Sequence, residues 1–118
     1  MNRRSTGTEW EKAASEYLRK QGMRILETNF SCRQGEIDLI GYHQGYLVFV
    51  EVKYRGTDRN GYALEAVDGR KQRRICRTAD YYRFLHKIGD DAPVRYDVVA
   101  VQDGEIQWVR NAFYHIGG

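Results

Sequence analysis

One apolar segment constrains the fold of this chain more than any other feature. Residues 46–50 read Tyr-Leu-Val-Phe-Val and run directly into Glu51-Val52-Lys53, with apolar side chains on both alternating faces of the run. A strand that is apolar on both faces is covered on both sides and lies in the centre of a sheet. The sequence therefore predicts a sheet with a layer on each face, with Glu51 and Lys53 at the end of a buried strand.

The other periodicities give the element order α-β-β-β-α-β-β. Apolar spacing predicts two helices, over about 9–21 and 68–87. Strand patterns occur over 23–30, 35–40, 46–53, 94–101 and 105–109. This order predicts an α/β fold, a mixed β-sheet flanked by helices.

The domain organisation follows from length and from turn chemistry. The 118 residues suit one domain spanning 1–118. Residues 55–67 have no sustained period and are predicted to form a mobile loop. The ends, about 1–7 and 115–118, are predicted to fray. Gln44-Gly45 is the predicted turn between the two central strands.

Composition narrows the functional classes. The longest apolar run is far shorter than the roughly 20 residues of a membrane span, and no apolar signal segment follows the N-terminus. We therefore expect a cytoplasmic protein with no membrane association. The three His and two Cys residues lack zinc-ligand spacing. The segment 70–77 carries five positive charges and no negative one, which indicates either phosphate recognition or a solvated helix face.

Charged residues interrupt both central strands. If the hairpin is symmetric about its turn, Asp38 lies opposite Glu51, and Glu36 opposite Lys53. Simple alternation also places Ile37 and Leu39 together on the other face. Like charges opposite each other destabilise a sheet unless something neutralises them. A divalent cation would do so, whereas an exposed strand end with cross-strand ion pairs would look the same in sequence.

Asp38, Glu51 and Lys53 suit metal-dependent phosphodiester hydrolysis. Mg²⁺ takes one or two carboxylates together with waters and phosphate oxygens, and it polarises the phosphate while lowering the pKa of water. A nearby lysine orients the water and stabilises charge that develops on the phosphate.

The two predicted helices add candidates. Glu11 lies on the flank of the first apolar stripe, where it either caps the helix or reaches over the sheet toward the metal. In the second helix, Lys71 and Gln72 project toward the sheet. The arginines of that helix project away from the sheet and are candidates for contacts with a nucleic-acid backbone: Arg70, Arg73, Arg74 and Arg77.

Several motifs together resemble the YraN-like family of small bacterial proteins, over nearly the whole chain. They are Gly7…Glu11-x-x-Ala14-x-x-Tyr17-Leu18, Asn29-Phe30, Gly35-Glu36-Ile37-Asp38-Leu39-Ile40, Val48-Phe49-Val50-Glu51-Val52-Lys53-Tyr54-Arg55, Ala66-Val67…Lys71-Gln72 and Arg95-Tyr96-Asp97-Val98-Val99. That family resembles a branch of the restriction-endonuclease-like, PD-(D/E)xK nuclease superfamily and is similar to Holliday-junction resolvases.

The resemblance implies a nuclease-like core, a divalent-metal site for Mg²⁺ or Mn²⁺, and nucleic acid as the substrate class. The metal-binding carboxylates fall on Asp38 and Glu51, the catalytic lysine on Lys53 and the helix-borne acid on Glu11. Glu36 is an additional candidate ligand. Lys71 and Gln72 match a basic and amide position in the second helix, and Arg55 is a further candidate for nucleic-acid binding.

Two alternative functions are therefore expected. The first is an Mg²⁺- or Mn²⁺-dependent endonuclease acting on DNA, including branched or damaged DNA. The second is a nucleic-acid-binding or adaptor protein that keeps the fold without catalysis. The resemblance to resolvases also implies a homodimer, for which Tyr81 and Phe84, away from the apolar stripe, are candidate contact residues.

Overall fold

A computed structural model describes residues 3–56, 67–102 and 104–116, with side chains from residue 9 onward and none for 55–56. The elements follow the predicted order. They are α1 (Arg3–Lys20), β1 (Arg24–Cys32), β2 (Gly35–His43), β3 (Tyr46–Gly56), α2 (Gly69–Leu85), β4 (Val94–Gln102) and β5 (Glu105–Phe113). This is the expected α/β fold.

The five strands form one mixed sheet in the order β1-β2-β3-β4-β5. β3 and β4 are parallel, whereas the other three neighbouring pairs are antiparallel. A parallel pair needs a crossover connection, and α2 provides it. β3 therefore lies at the centre, as its apolar faces predicted.

Each face of the sheet carries one helix. On one face, α1 buries Ala14 and Leu18 against Leu39, Val50 and neighbouring valines. On the other, α2 buries a larger cluster that contains four aromatic core residues, among them Phe113 from β5. These two clusters explain why β3 has no polar face before Glu51. Neither helix, over its described residues, is long and apolar enough to span a membrane.

The first helix begins six residues before the predicted start. It runs from Arg3 and includes the weak helix formers of residues 5–8, which do not break a helix. The predicted end is confirmed, because Gly22 adopts φ 101° and its N–H donates to the carbonyl of Arg19. The capping alternative for Glu11 is wrong, since Glu11 lies more than two turns inside the helix.

The segments predicted to fray or move fall only partly within the described residues. Residues 1–2, 57–66, 103 and 117–118 lie outside them. Inside them, β3 continues to Gly56, Val67 is buried, and the N–H of Ile116 donates to Cys76 Sγ at 3.3 Å.

The hairpin register is the predicted one as far as its ladder extends. His43 pairs with Tyr46 and Ile40 with Phe49, and Gln44 and Gly45 both adopt positive φ in the turn. The ladder ends at Leu39 and Val50, one pair before Asp38 and Glu51. The two acidic residues are thus neighbours where the strands separate, and no described pairing joins Glu36 to Lys53.

Candidate active site

The site begins where β1 and β2 change face together. Ile37 packs beneath α2, whereas Leu39, two residues further on, packs beneath α1. The expectation that these two residues share a face is therefore wrong. Asn29 lies across from Asp38, between the paired positions Thr28–Leu39 and Phe30–Ile37. Asn29 adopts φ 55°, a conformation that asparagine tolerates better than most residues, and this breaks the alternation.

Asp38 is accessible from both faces because it lies at this irregularity. Its Oδ2 accepts a hydrogen bond from the N–H of Val52 at 2.8 Å, which replaces the missing ladder bond beyond Leu39. From the α1 side, the Glu11 carboxyl shares a hydrogen bond with it. From the α2 side, Glu51 is close enough to act on its charge. The predicted set Glu11, Asp38 and Glu51 is therefore brought together.

The electrostatics of Asp38 show how closely the acids approach. Burial, together with the negative charges of Glu51, Glu11 and Glu36, raises the pKa of Asp38 to about 8 against the lowering effect of the Val52 N–H. Burial also raises the pKa of Glu11, although a hydrogen bond from Asn29 opposes the shift. Four carboxyl groups therefore share one region that favours a positive charge.

Two lysines supply positive charge to Glu51, which is only 7% exposed. Lys71 Nζ lies 2.6 Å from Glu51 Oε2, and Lys53 Nζ lies 3.4 Å from the same oxygen. Burial and the neighbouring Lys71 lower the pKa of Lys53. For Lys71, contact with Glu51 outweighs burial, and its pKa is raised.

The start of α2 determines where Lys71 lies. Asp68 caps the helix, accepting a hydrogen bond from the N–H of Lys71 at 2.9 Å. Gln72 Nε2 donates to the carbonyl of Val67 at 2.9 Å, so its carboxamide ties the first turn to the preceding segment. Lys71 and Gln72 thus face the sheet as predicted. Within the described contacts, Lys71 touches the acidic residues and Gln72 does not.

An open cavity of about 410 Å³ exposes the site to solvent on the α2 side. It is bordered by Glu36, Asp38, Glu51, Lys71 and Arg74. Arg33, from the β1–β2 turn, adds a cation that sequence reasoning missed. A second groove of about 210 Å³ lies on the α1 side, where Glu11 and Asn29 line it.

The arginines of α2 lie along the exposed side of the helix. Arg70, Arg73, Arg74 and Arg77 are all exposed, and Arg74 also borders the cavity. Their orientation away from the sheet is the predicted one. The backbone of Arg55 belongs to β3, but its side chain lies outside the described residues.

The acids suit a divalent cation that keeps most of its water. Within the described ranges, no three Asp, Glu, His or Cys side chains stand close enough to enclose a metal ion by themselves. Mg²⁺ usually takes only one or two carboxylates, with waters and phosphate oxygens completing its shell. Asp38 and Glu51, partly desolvated and facing an open cavity, provide such a pair.

Comparisons with known proteins agree with the family resemblance of the motifs. Residues 10–101 match the profile described as "Uncharacterised protein family UPF0102". A UPF0102 protein of Lachnoclostridium phytofermentans is 45% identical over 113 residues, covering 96% of each chain. Relatives from Alcanivorax borkumensis and Shewanella oneidensis are 42% and 43% identical. The match with the Alcanivorax protein covers 96% of this chain and 94% of the relative. The match with the Shewanella protein covers 91% of this chain and 97% of the relative.

Proposed function

Because this chain belongs to the UPF0102 family, the YraN-like group, we propose a function from the site itself: metal-dependent hydrolysis of phosphodiester bonds in DNA. The observation that carries the proposal is the Asp38–Glu51 pair at the end of the β2–β3 ladder, with Lys53 beside it. Like charges are brought together there, in a cavity open to solvent. Neighbouring carboxylates repel each other and lower the stability of the fold. Such an arrangement is therefore typical of sites that are kept for function.

Each residue has a distinct role in the proposal. Asp38 and Glu51 would hold Mg²⁺ or Mn²⁺, which would supply charge to polarise the phosphate and to lower the pKa of water. Lys53, whose ammonium lies at the same edge of β3, stabilises negative charge on the phosphate and orients the attacking water. Glu11 and Glu36 adjust the charge around Asp38 and are secondary ligand candidates.

The basic face of α2 supports nucleic acid as the substrate. Arg74 borders the cavity, and Arg70, Arg73 and Arg77 continue along the exposed face of the same helix. Guanidinium groups match phosphate oxygens in a bidentate geometry. A DNA backbone lying along α2 would therefore bring one phosphate to the carboxylates.

A cleavage assay tests this function. Single-stranded, duplex, flapped and four-way-junction DNA are incubated with Mg²⁺, with Mn²⁺ or with EDTA. Asp38→Asn and Lys53→Met are expected to lower the rate about a hundredfold or more, since both act where charge develops. Asp91→Asn, an exposed carboxylate in the loop before β4, serves as the matched control. Cleavage that persists in both site variants, with their folding intact, would refute the assignment.

One observation favours a second candidate, a nucleic-acid-binding protein without catalysis. Lys71 and Lys53 already neutralise Glu51, so the site has a cation partner of its own. For this function, DNA binding falls with salt at a log–log slope of about −0.9 per phosphate contacted, and no metal-dependent cleavage accompanies it.

A further inference from the structure

An exposed aromatic stack adjoins the candidate active site. The rings of Trp10 in α1 and Tyr54 in β3 have centroids 3.7 Å apart and planes only 4° from parallel. Trp10 is partly buried, whereas Tyr54 remains 46% exposed although Trp10 covers one of its faces. A large aromatic side chain held rigidly by a stacked neighbour is thus left open to solvent.

The position of the pair is as informative as its geometry. Trp10 immediately precedes Glu11, and Tyr54 immediately follows Lys53. Tyr54 shares the α1 face of β3 with Val52, so the stack adjoins the acids from the side of Glu11, and Lys53 and Lys71 lie on the α2 side. A second exposed pair, Tyr81 and Phe84, has centroids 6.4 Å apart and lies toward the other end of α2. Phe84 stands about 20 Å along the helix from Lys71, at 1.5 Å per residue.

We propose that the Trp10–Tyr54 pair is a stacking platform for an unpaired nucleobase next to the scissile phosphate. The inference rests on the proposed function and deepens it by naming the substrate class, DNA with unpaired bases at the cleavage position. Every base presents a flat π-face, so an open tyrosine ring accepts a base without reading its sequence. Bases within a duplex are already stacked on their neighbours and cannot use the platform.

The charges around the site complement this role. On the α1 side, Lys12 and Arg19 line the same groove as Glu11 and Asn29, and they provide cations for the phosphates next to such a base. The two rings come from different elements and are already parallel, so little conformational freedom is lost when a base is added.

The test measures binding without cleavage. The full chain, in EDTA, is titrated into a fluorescently labelled short oligothymidylate and into a labelled duplex of the same length. Tyr54→Ala is expected to weaken single-strand binding about tenfold and to leave duplex binding nearly unchanged. Tyr54→Phe keeps the ring and is expected to restore single-strand binding. Tyr114→Ala removes an exposed aromatic ring that lines a different cavity and is expected to behave as the unmodified protein.

The other outcomes separate this inference from the proposed function. Arg73→Glu/Arg74→Glu is titrated in the same assay, because these residues are proposed to contact the phosphates. The platform is refuted, and the proposed function stands, if charge reversal weakens DNA binding while Tyr54→Ala does not. The same conclusion follows if Tyr54→Ala weakens binding to the single strand and to the duplex equally. If neither probe binds the unmodified protein, nucleic acid as the substrate is refuted, and the platform with it.

Discussion

Asp38 combines partial burial, one backbone donor and a carboxylate neighbour in a single side chain. The Val52 N–H holds one of its oxygens, while Glu51 lies on the same side of the strand end. The resulting repulsion is part of the native state and is absent from the unfolded chain. Such a cost in stability is the one expected of Asp38 if it serves binding or catalysis, as proposed above.

Replacing Asp38 by asparagine is therefore expected to stabilise the metal-free protein. The amide oxygen still accepts the hydrogen bond from Val52, but asparagine has no carboxyl group whose ionisation is opposed by burial and by Glu51 in the folded state. The free energy of unfolding at neutral pH is expected to rise by about 1 kcal/mol or more. Urea denaturation in EDTA measures it, with Asp91→Asn as the control expected to stay within about 0.5 kcal/mol. A less stable Asp38→Asn protein would contradict the repulsion.

Asn29 shows what residue-level sequence reasoning could not provide. Asn29 stands beside Phe30 in one of the family motifs, and regular alternation predicts that Ile37 and Leu39 share a face. The φ of 55° at Asn29 lies directly across from the change of face at Asp38, so the irregularity belongs to the paired strands and not to either strand alone. The signal that was present is an asparagine inside a strand, where the residue is disfavoured unless the backbone departs from the strand.

Among the elements, α2 delivers the charge that the strands lack. The N-terminal cap, Asp68, holds the first turn of the helix in place, and Lys71 in that turn contacts Glu51 of β3. Helical spacing alone predicted that Lys71 faces the sheet. Its contact with Glu51 could not be predicted, because it depends on where the whole helix docks.

In the proposed function, Lys71 and a divalent cation would compete for Glu51. Lys71→Met removes the competing ammonium and is expected to tighten Mn²⁺ binding roughly tenfold, since like charges a few ångströms apart repel by about 1 kcal/mol or more even in water. Titration followed by electron paramagnetic resonance of free Mn²⁺ measures the affinity.

Lys71→Arg keeps the charge and serves as the matched variant, with an affinity expected to stay near that of the unmodified protein. Weaker Mn²⁺ binding by Lys71→Met would mean that Lys71 supports the ion instead of competing with it.

For the molecule as a whole, a buried polar network stabilises the α1 face of the sheet. Asp97 accepts hydrogen bonds from Arg95, from Trp108 Nε1 and from the N–H of Asn111, which joins β4 to β5. Arg95 Nη2 also lies 3.0 Å from His43 Nδ1. Because arginine can only donate, His43 accepts this bond in its neutral form.

This network makes the stability of the fold sensitive to acid. Burial and the charges of Arg95 and Arg110 lower the pKa of His43 below its ordinary 6.5, while Asp97 opposes the shift. As the pH falls, His43 therefore takes up its proton first in the unfolded chain. The free energy of unfolding keeps the full contribution of neutral His43 above pH 6.5 and falls as the pH drops below that value. Urea denaturation at about pH 7.5 and about pH 5.5 measures the slope, which His43→Gln is expected to reduce.

The exposed His86 provides the control for that slope. His86→Gln is expected to keep the pH dependence of the unmodified protein, because this ring lies at the C-terminus of α2 and outside the network. An equal slope in His43→Gln and the unmodified protein would place the acid sensitivity elsewhere.

The overall architecture was the part most accessible from sequence. The apolar faces of β3, the Gln44-Gly45 turn and the periodicity of α2 fixed the element order, the hairpin register and the central position of Glu51 and Lys53. These features depend on local spacing. The early start of α1 and the irregularity at Asp38 depend on competition between weak local preferences and packing, which a spacing pattern does not contain.

The hairpin of β2 and β3 also has a consequence for the order in which the chain folds. Its two strands are joined by a two-residue turn and close within microseconds, whereas the parallel pairing of β3 with β4 must wait for the whole crossover. The acidic side chains therefore meet before α2 brings Lys71 to them. During that interval their repulsion is relieved only by protons or by ions from solution, so a divalent cation is expected to accelerate refolding of this chain.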